Sequence, residues 1–227
     1  MDAVLMNSRL IPVSEVSSAA RCPVRAFFDR SNTWIEPPEY TICKQISYHL
    51  GQPVEKNVIW DEICRISPDI DPAYRYYSDT CIDQCGSYQW RGASEYDLFV
   101  KSDRFGICGT IDRIYPEAPY FSITRSVKPP VFGVYSADRI RVLGYAICLS
   151  ELLGKELRGA SIDYIPGGIS RYYEIQPRDM RRFYSLRKIL VNMDSGGVPK
   201  KPLRAPCGAC SYQGRCDPGP TRLSDLF

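Results

Sequence analysis

A chain of 227 residues, 44% hydrophobic and 24% charged, has the composition of an ordinary globular protein with one large domain or two small ones. No stretch approaches the length of a membrane span, and Met1-Asp2-Ala3-Val4-Leu5 has no basic region leading into an apolar run, so a cytoplasmic protein without a membrane partner is expected. In that compartment ten cysteines argue for metal or redox use rather than a disulfide framework.

Residues 9–35 predict a helix opened by Ser14, with Cys22-Pro23 near its middle or at a break between two short helices. Trp34-Ile35-Glu36-Pro37-Pro38 is a loop. Ile42, Ile46 and Leu50 have helical spacing over 40–50, and Gly51 and Pro53 end that helix. A second helix is expected from Val54 to Ile66. Tyr74, Tyr76 and Tyr77 lead to Cys81, Cys85 and Trp90 on a helix and its exit loop. The period then changes: Tyr96, Leu98 and Val100 alternate with polar residues, as do Ile107 and Ile111, which predicts two strands around a turn at 102–106. A third strand covers 120–126.

Ser136 or Asp138 is expected to cap a long helix with Ile140, Leu143, Gly144, Ile147, Cys148 and Leu152 on one face and Gly154 as its stop. Residues 161–165 and 170–175 flank Pro166-Gly167-Gly168, a hairpin signal. A last helix runs from Arg178 to Met193. The net charge of +3 does not specify a partner, but its distribution is uneven. Arg178, Arg181, Arg182, Arg187, Lys188, Lys200, Lys201 and Arg204 crowd one region. They form either a solvated helix face or, with Tyr172, Tyr173 and Tyr184, a groove that follows a nucleic-acid backbone.

The chain ends in Cys207-x2-Cys210-x5-Cys216, inside a Gly/Pro-rich segment with too little apolar content to hold its own shape. Three thiolates on a soft metal would cross-link it and require a fourth ligand from elsewhere. Cys64 and Cys148 fall on apolar helix faces and read as core. Cys108 lies in a strand, Cys43 on the helix that carries His49, and Cys81 and Cys85 are spaced to meet on one helix face. Cys22 stands apart, because Pro23 releases it from regular helix.

Arg21-Cys22-Pro23-Val24-Arg25-Ala26-Phe27-Phe28 resembles the N-terminal cysteine motif of RecB-like nucleases that carry an iron–sulfur cluster. The chain looks most like the CRISPR-associated exonucleases of the fourth numbered Cas family. AddB and the helicase-nucleases of DNA replication and repair share this pairing of one N-terminal cysteine with three C-terminal ones spaced as Cys207, Cys210 and Cys216 are. The resemblance implies a PD-(D/E)XK restriction-endonuclease-like α/β fold, a mixed central sheet flanked by helices. A RecB-like nuclease-fold domain would span 1–200, and a cysteine segment at 201–227 would belong to the same unit. It implies a 4Fe-4S cluster on Cys22, Cys207, Cys210 and Cys216, with zinc as the alternative on the same four thiolates. It also implies Mg²⁺ or Mn²⁺ for cleavage, and as partners DNA (single-stranded or fragment ends) and CRISPR integrase proteins.

Carried over residue by residue, Asp112 in Gly109-Thr110-Ile111-Asp112 matches the family's metal-binding aspartate, and Leu98-Phe99-Val100-Lys101-Ser102 before it also looks like the family. His49 matches a metal-binding histidine, and Tyr145 matches a supporting tyrosine. The family's Glu-x-Lys is missing: its strand reads Ser122-Ile123-Thr124 or, shifted by one, Ile123-Thr124-Arg125. Glu117 lies between prolines, off that strand. Arg141 replaces the family glutamine and Gln45 a glycine. Without both members of Glu-x-Lys, metal ligation and charge stabilisation are lost together. The expectation is therefore a DNA-binding or docking protein with weakened or absent cleavage. An active single-stranded exonuclease that trims DNA ends, with a replacement acid from Glu95, Asp97 or Asp103, and a zinc-stabilised interaction protein are the alternatives.

Overall fold

Prolines set three of the helix starts. Pro23, Pro38 and Pro177 each stand first in their helix, where the missing N–H is not needed and φ is already helical. A computed structural model of the chain describes residues 9–32, 36–53, 55–203, 205–214 and 216. The expectations for residues 1–5, Trp34, Ile35, Val54 and Arg204 lie outside the described residues. In chain order the elements are β1 (Ile11–Pro12), α1 (Val13–Arg21), α2 (Pro23–Ser31), α3 (Pro38–His49), α4 (Lys56–Ile66), α5 (Tyr74–Gly86), β2 (Glu95–Ser102), β3 (Ile107–Ile114), β4 (Phe121–Arg125), α6 (Ser136–Leu153), β5 (Gly159–Tyr164), β6 (Ile169–Glu174) and α7 (Pro177–Asp194). The protein is mixed α/β, with one six-stranded mixed sheet flanked by helices.

The path across the sheet is β1-β3-β4-β5-β6, and β2 also pairs with β3. Pairings β1–β3 and β4–β5 are parallel and the others antiparallel. The parallel β4–β5 pair needs a crossover, and α6 supplies it. The register around β3 places the site. Strand β2 pairs with β3 at both of its ends, from Ile107 to Ile114. The opposite edge of β3 is then shared by two strands, β1 at Ile107 and Cys108 and β4 at Arg113 and Ile114. Between them the edge from Gly109 to Asp112 has no strand partner among the described residues, so the sheet forks there.

Two apolar clusters form the interior. The larger draws Val13 and Val16 from α1, Ile107 and Ile111 from β3, Phe121 and Ile123 from β4, Ile140 and Leu143 from α6, and Phe183 and Leu190 from α7. The smaller is helical: Ile42 and Ile46 of α3, Ile59 and Ile63 of α4, Cys81 and Ile82 of α5, and Ile165. A buried ion pair lies between them. Arg113 Nη1 is 3.0 Å from Asp163 Oδ2, and their side chains are only 1% and 2% exposed. Arg113 Nη2 donates to the carbonyls of Leu50, at 3.1 Å, and Arg91, while Ser122 and Ser170 donate to Asp163 at 2.6 and 2.5 Å. The pair thus joins β3, β4, β5 and β6 to the exit of α3.

Several expectations about helix ends need correction. Ser14 caps nothing: α1 begins after Pro12 and has no side-chain cap. Neither Ser136 nor Asp138 caps α6. Asp138 is buried in its first turn, where it accepts from Tyr164 at 3.0 Å and faces Arg125 at 2.8 Å. Leu152 is exposed, and Gly154 ends the helix in the left-handed region at φ 64°. The hairpin is closed by a 3-10 turn (Ile165–Gly167), and Gly168 follows at φ 58°. A Cβ on Gly168 would lie 2.1 Å from the Gln84 carbonyl oxygen, so only glycine lets the hairpin reach α5. Strand β1 was not anticipated; two residues are too short for a periodicity. The remaining helices and strands lie where the patterns put them, and α1 and α2 break at Cys22.

Removing one member of a buried ion pair strands the other charge. Arg113→Ala is expected to lower the unfolding free energy by about 3–5 kcal/mol. Urea denaturation followed by circular dichroism measures it, and a loss below about 1 kcal/mol would contradict the role given to this pair.

Candidate functional site

Asp112 sits in the fork of the sheet and is mostly buried. Its Oδ2 accepts the backbone N–H of Thr124 at 2.7 Å, which ties β3 to β4 just where their ladder stops. Its Oδ1 is 2.5 Å from the ammonium of Lys44, on α3. The same ammonium also pairs with Asp97 of β2. Of the three candidate acids Glu95, Asp97 and Asp103, only Asp97 reaches this group. Glu95 is exposed on β2, and Asp103 pairs with Lys101 in the turn. Asp97 has φ 55°, the only positive φ at a non-glycine among the described residues, and its other oxygen accepts from Tyr48. Burial works against the Lys44 ammonium. Asp112 and then Asp97 outweigh it and hold the proton above the usual lysine range.

This donor set does not suit a divalent ion, because an ammonium already bridges the two carboxylates. His49 is elsewhere. At the end of α3, its Nε2 is 2.7 Å from Glu62 of α4, and Gln45 donates to the same carboxylate oxygen at 2.6 Å. Thr124, common to both registers of the missing Glu-x-Lys, is buried, and its hydroxyl has no partner among the described residues. Tyr145 on α6 does reach the fork. Its ring lies where a Cβ on Gly109 would come within 2.9 Å of Cε1, so glycine is needed for this approach. Burial raises the Tyr145 phenol to about 12.

Asp112 and Tyr145 line a cleft of about 800 Å³. Six arginines line it with them: Arg9, Arg21, Arg25, Arg30, Arg125 and Arg141. The anticipated basic region lies elsewhere, and part of it is structural. Arg182 donates to the Ala20 carbonyl and Arg187 to that of Phe105, so both fasten α7 to the domain. Arg178, Arg181 and Lys188 remain exposed on α7.

Cys22, Cys207, Cys210 and Cys216 line one cavity together with Arg21, Arg25, Lys201 and Tyr212. Pro23 explains the position of Cys22. A residue before proline is driven out of the helical region, and Cys22 is extended at φ −160°, ψ 119°. Tyr212 seats the C-terminal segment: its ring stacks on Phe28 at 5.3 Å, and its hydroxyl donates to Asp29 at 2.9 Å. Burial raises the Cys216 thiol, against the pull of Lys201; the other three cysteines push it up further. Among the described residues no group of three or more His, Cys, Asp or Glu side chains is gathered closely enough to hold a single ion. Cys148 is core, and Cys64 packs against the smaller cluster. Cys81 and Cys85 are buried as free thiols in that cluster beside Cys43, rather than meeting as a pair.

No protein-family model matches the chain, and no curated protein matches it in sequence. Sequence reasoning missed Lys44 and Arg125 as site residues. Nothing local marks either one: α3 brings Lys44 over the fork, and β4 turns Arg125 into the cleft.

Two outcomes follow from this geometry. Lys44→Ala leaves Asp97 and Asp112 facing each other without a cation, and is expected to lower stability by about 1–3 kcal/mol. Adding Asp112→Ala should recover part of that loss, so a double-mutant cycle that comes out additive would break the assignment. The second concerns alkali. The folded state holds the Tyr145 proton more tightly than the unfolded state, whose phenol loses it near about 10. The stabilisation from this residue is full below that pH and is lost as pH rises through about 12. Denaturation midpoints measured across this range should fall less steeply in Tyr145→Phe.

Proposed function

We propose that this chain is a DNA-binding protein built on the RecB-like, PD-(D/E)XK nuclease plan. It carries an iron–sulfur cluster on Cys22, Cys207, Cys210 and Cys216, and its capacity to cleave is weakened or absent. The observation that carries this reading is the Lys44 ammonium held between Asp112 and Asp97, with Asp112 itself lining a cleft that also holds six arginines. A hydrolytic metal site needs free carboxylates to hold its ion and generate hydroxide. Here the carboxylates neutralise an internal cation, and the surrounding charge favours a polyanion instead.

The cysteine cavity supports the cluster. Its donors are four thiols and no carboxylate, the set that soft metals and iron–sulfur clusters take. When bound, the cluster would supply covalent cross-links between α2 and the C-terminal segment. The protein would contribute through binding, or through docking to CRISPR integrase proteins.

Anaerobic purification followed by visible absorption, metal analysis and a nuclease assay on the same sample tests this. The expected protein is brown, holds about four irons per chain, and loses them equally in Cys22→Ala and Cys216→Ala. With Mn²⁺ it binds single-stranded DNA, with a marked salt dependence, and leaves it intact. A colourless protein with one zinc would overturn the iron–sulfur assignment. Degradation that disappears in Asp112→Ala would instead establish an active exonuclease.

A further inference from the structure

The arginines of the cleft are not equivalent. Arg9 and Arg30 both pair with Glu15, and Arg25 lies 3.8 Å from Asp29. The three remaining arginines come from three different elements: Arg21 from the end of α1, Arg125 from the end of β4 and Arg141 from α6. Among the described residues none of the three makes a side-chain hydrogen bond. Arg125 is buried, and its one close carboxylate, Asp138, stands 2.8 Å from Nε without the alignment of a hydrogen bond. Arg141 Nε is buried and has no hydrogen-bond partner among the described residues. The nearby Asp112 bonds to none of the three; its oxygens meet the Lys44 ammonium and the Thr124 N–H instead.

Each guanidinium presents about five N–H donors in a rigid fork and accepts nothing. Three of them around one space cannot satisfy one another. Their crowding is felt in their proton affinities. Burial and then Arg141 pull Arg125 down to about 10 against the opposing Asp138, and burial, Arg25 and Arg141 lower Arg21. The group that resolves such an arrangement is an oxyanion with several acceptor oxygens, bound through charge-assisted bidentate bonds. The cleft is far larger than one ion needs, so the oxyanion would arrive as part of a longer molecule. Arg141 and Arg125 also stand at positions where the resembled nucleases keep a glutamine and the Glu-x-Lys strand.

We propose that Arg21, Arg125 and Arg141 form a metal-independent seat for a phosphate group of a nucleic-acid strand, at the inner end of the cleft beside Asp112. This rests on the DNA-handling reading above. The phosphate is either a terminal monoester or an internal diester, and both present the same oxygens to the seat.

The test is fluorescence anisotropy in EDTA, with a single-stranded oligonucleotide carrying either a 5′-phosphate or a 5′-hydroxyl, across a salt series. Arg21→Gln and Arg141→Gln are used because Arg125 is tied to buried Asp138; circular dichroism and melting temperature confirm that both fold. Each variant is expected to bind the phosphorylated strand about tenfold more weakly, with the slope of log K against log salt reduced by about one. A preference for the 5′-phosphate that both variants lose assigns the seat to the terminal monoester. Equal binding of the two strands, weakened in both variants, assigns it to a backbone diester. Variants that bind both strands as the wild type does overturn the seat and leave the DNA-binding reading intact. A wild type that binds neither strand overturns the DNA-binding reading. In that event inorganic phosphate decides the seat by thermal shift: a stabilisation lost in Arg141→Gln supports it, and no stabilisation of the wild type overturns it.

Discussion

The Arg113–Asp163 pair is the constraint on which the rest of the structure depends. A guanidinium and a carboxylate have left water together at the junction of four strands and the exit of α3. Such a pair contributes little net stability compared with apolar packing, but it tolerates few geometries. Ser122, Ser170 and the carbonyls of Leu50 and Arg91 must all stand in place to bond to it, and Arg113 Nε still finds no hydrogen-bond partner among the described residues. The pair thereby fixes the helical subdomain of α3, α4 and α5 against the sheet. That orientation brings Lys44 of α3 down onto Asp112, one residue before Arg113 in β3. The site and the buried pair are neighbours on the same strand, so the fold cannot relax one without moving the other.

The fork in the sheet follows from the same region. Strand β3 is paired by β2 at both of its ends, with Asp112 absent from the register, while its other edge is divided between β1 and β4. A sheet that splits leaves backbone groups to be satisfied, and the Asp112 carboxylate takes one of them, the Thr124 N–H. Asp112 therefore has a structural task independent of chemistry, and Lys44 gives its second oxygen another. Both oxygens of a residue expected to hold a metal are committed to the protein itself. The arginines around it are the complement of that arrangement: Arg9, Arg25, Arg30 and Arg125 face carboxylates, but with Arg21 and Arg141 added the lining keeps an excess of positive charge.

Much of the fold was legible in the sequence because it is written in local signals. Ile42, Ile46 and Leu50 announced α3, the alternation from Tyr96 to Ile111 announced β2 and β3, and Cys22-Pro23 announced the break between α1 and α2. Legibility ended where a residue's role depends on distant partners. Asp138 has the sequence context of a helix cap, but burial against Arg125 and Tyr164 claimed it. His49 had only its place on an early helix to suggest a ligand, and Glu62, thirteen residues on, claimed it. Lys44 carried no signal, since the fork it covers is made by strands far along the chain. The basic run in 178–201 was plain as composition, but nothing local shows that Arg182 and Arg187 point at carbonyls.

One proline links the two halves of the site. By forcing Cys22 into extended backbone, Pro23 ends α1 and starts α2 in a new direction. The sulfur is thereby delivered to the cavity it shares with Cys207, Cys210 and Cys216. Arg21 and Arg25, on either side of the break, line that cavity and also the cleft beside Asp112. A continuous helix would carry Cys22 and Arg21 round on one cylinder, a fixed turn apart, and could not serve both spaces. Whatever closes the cysteine cavity therefore also sets where these arginines stand in the cleft.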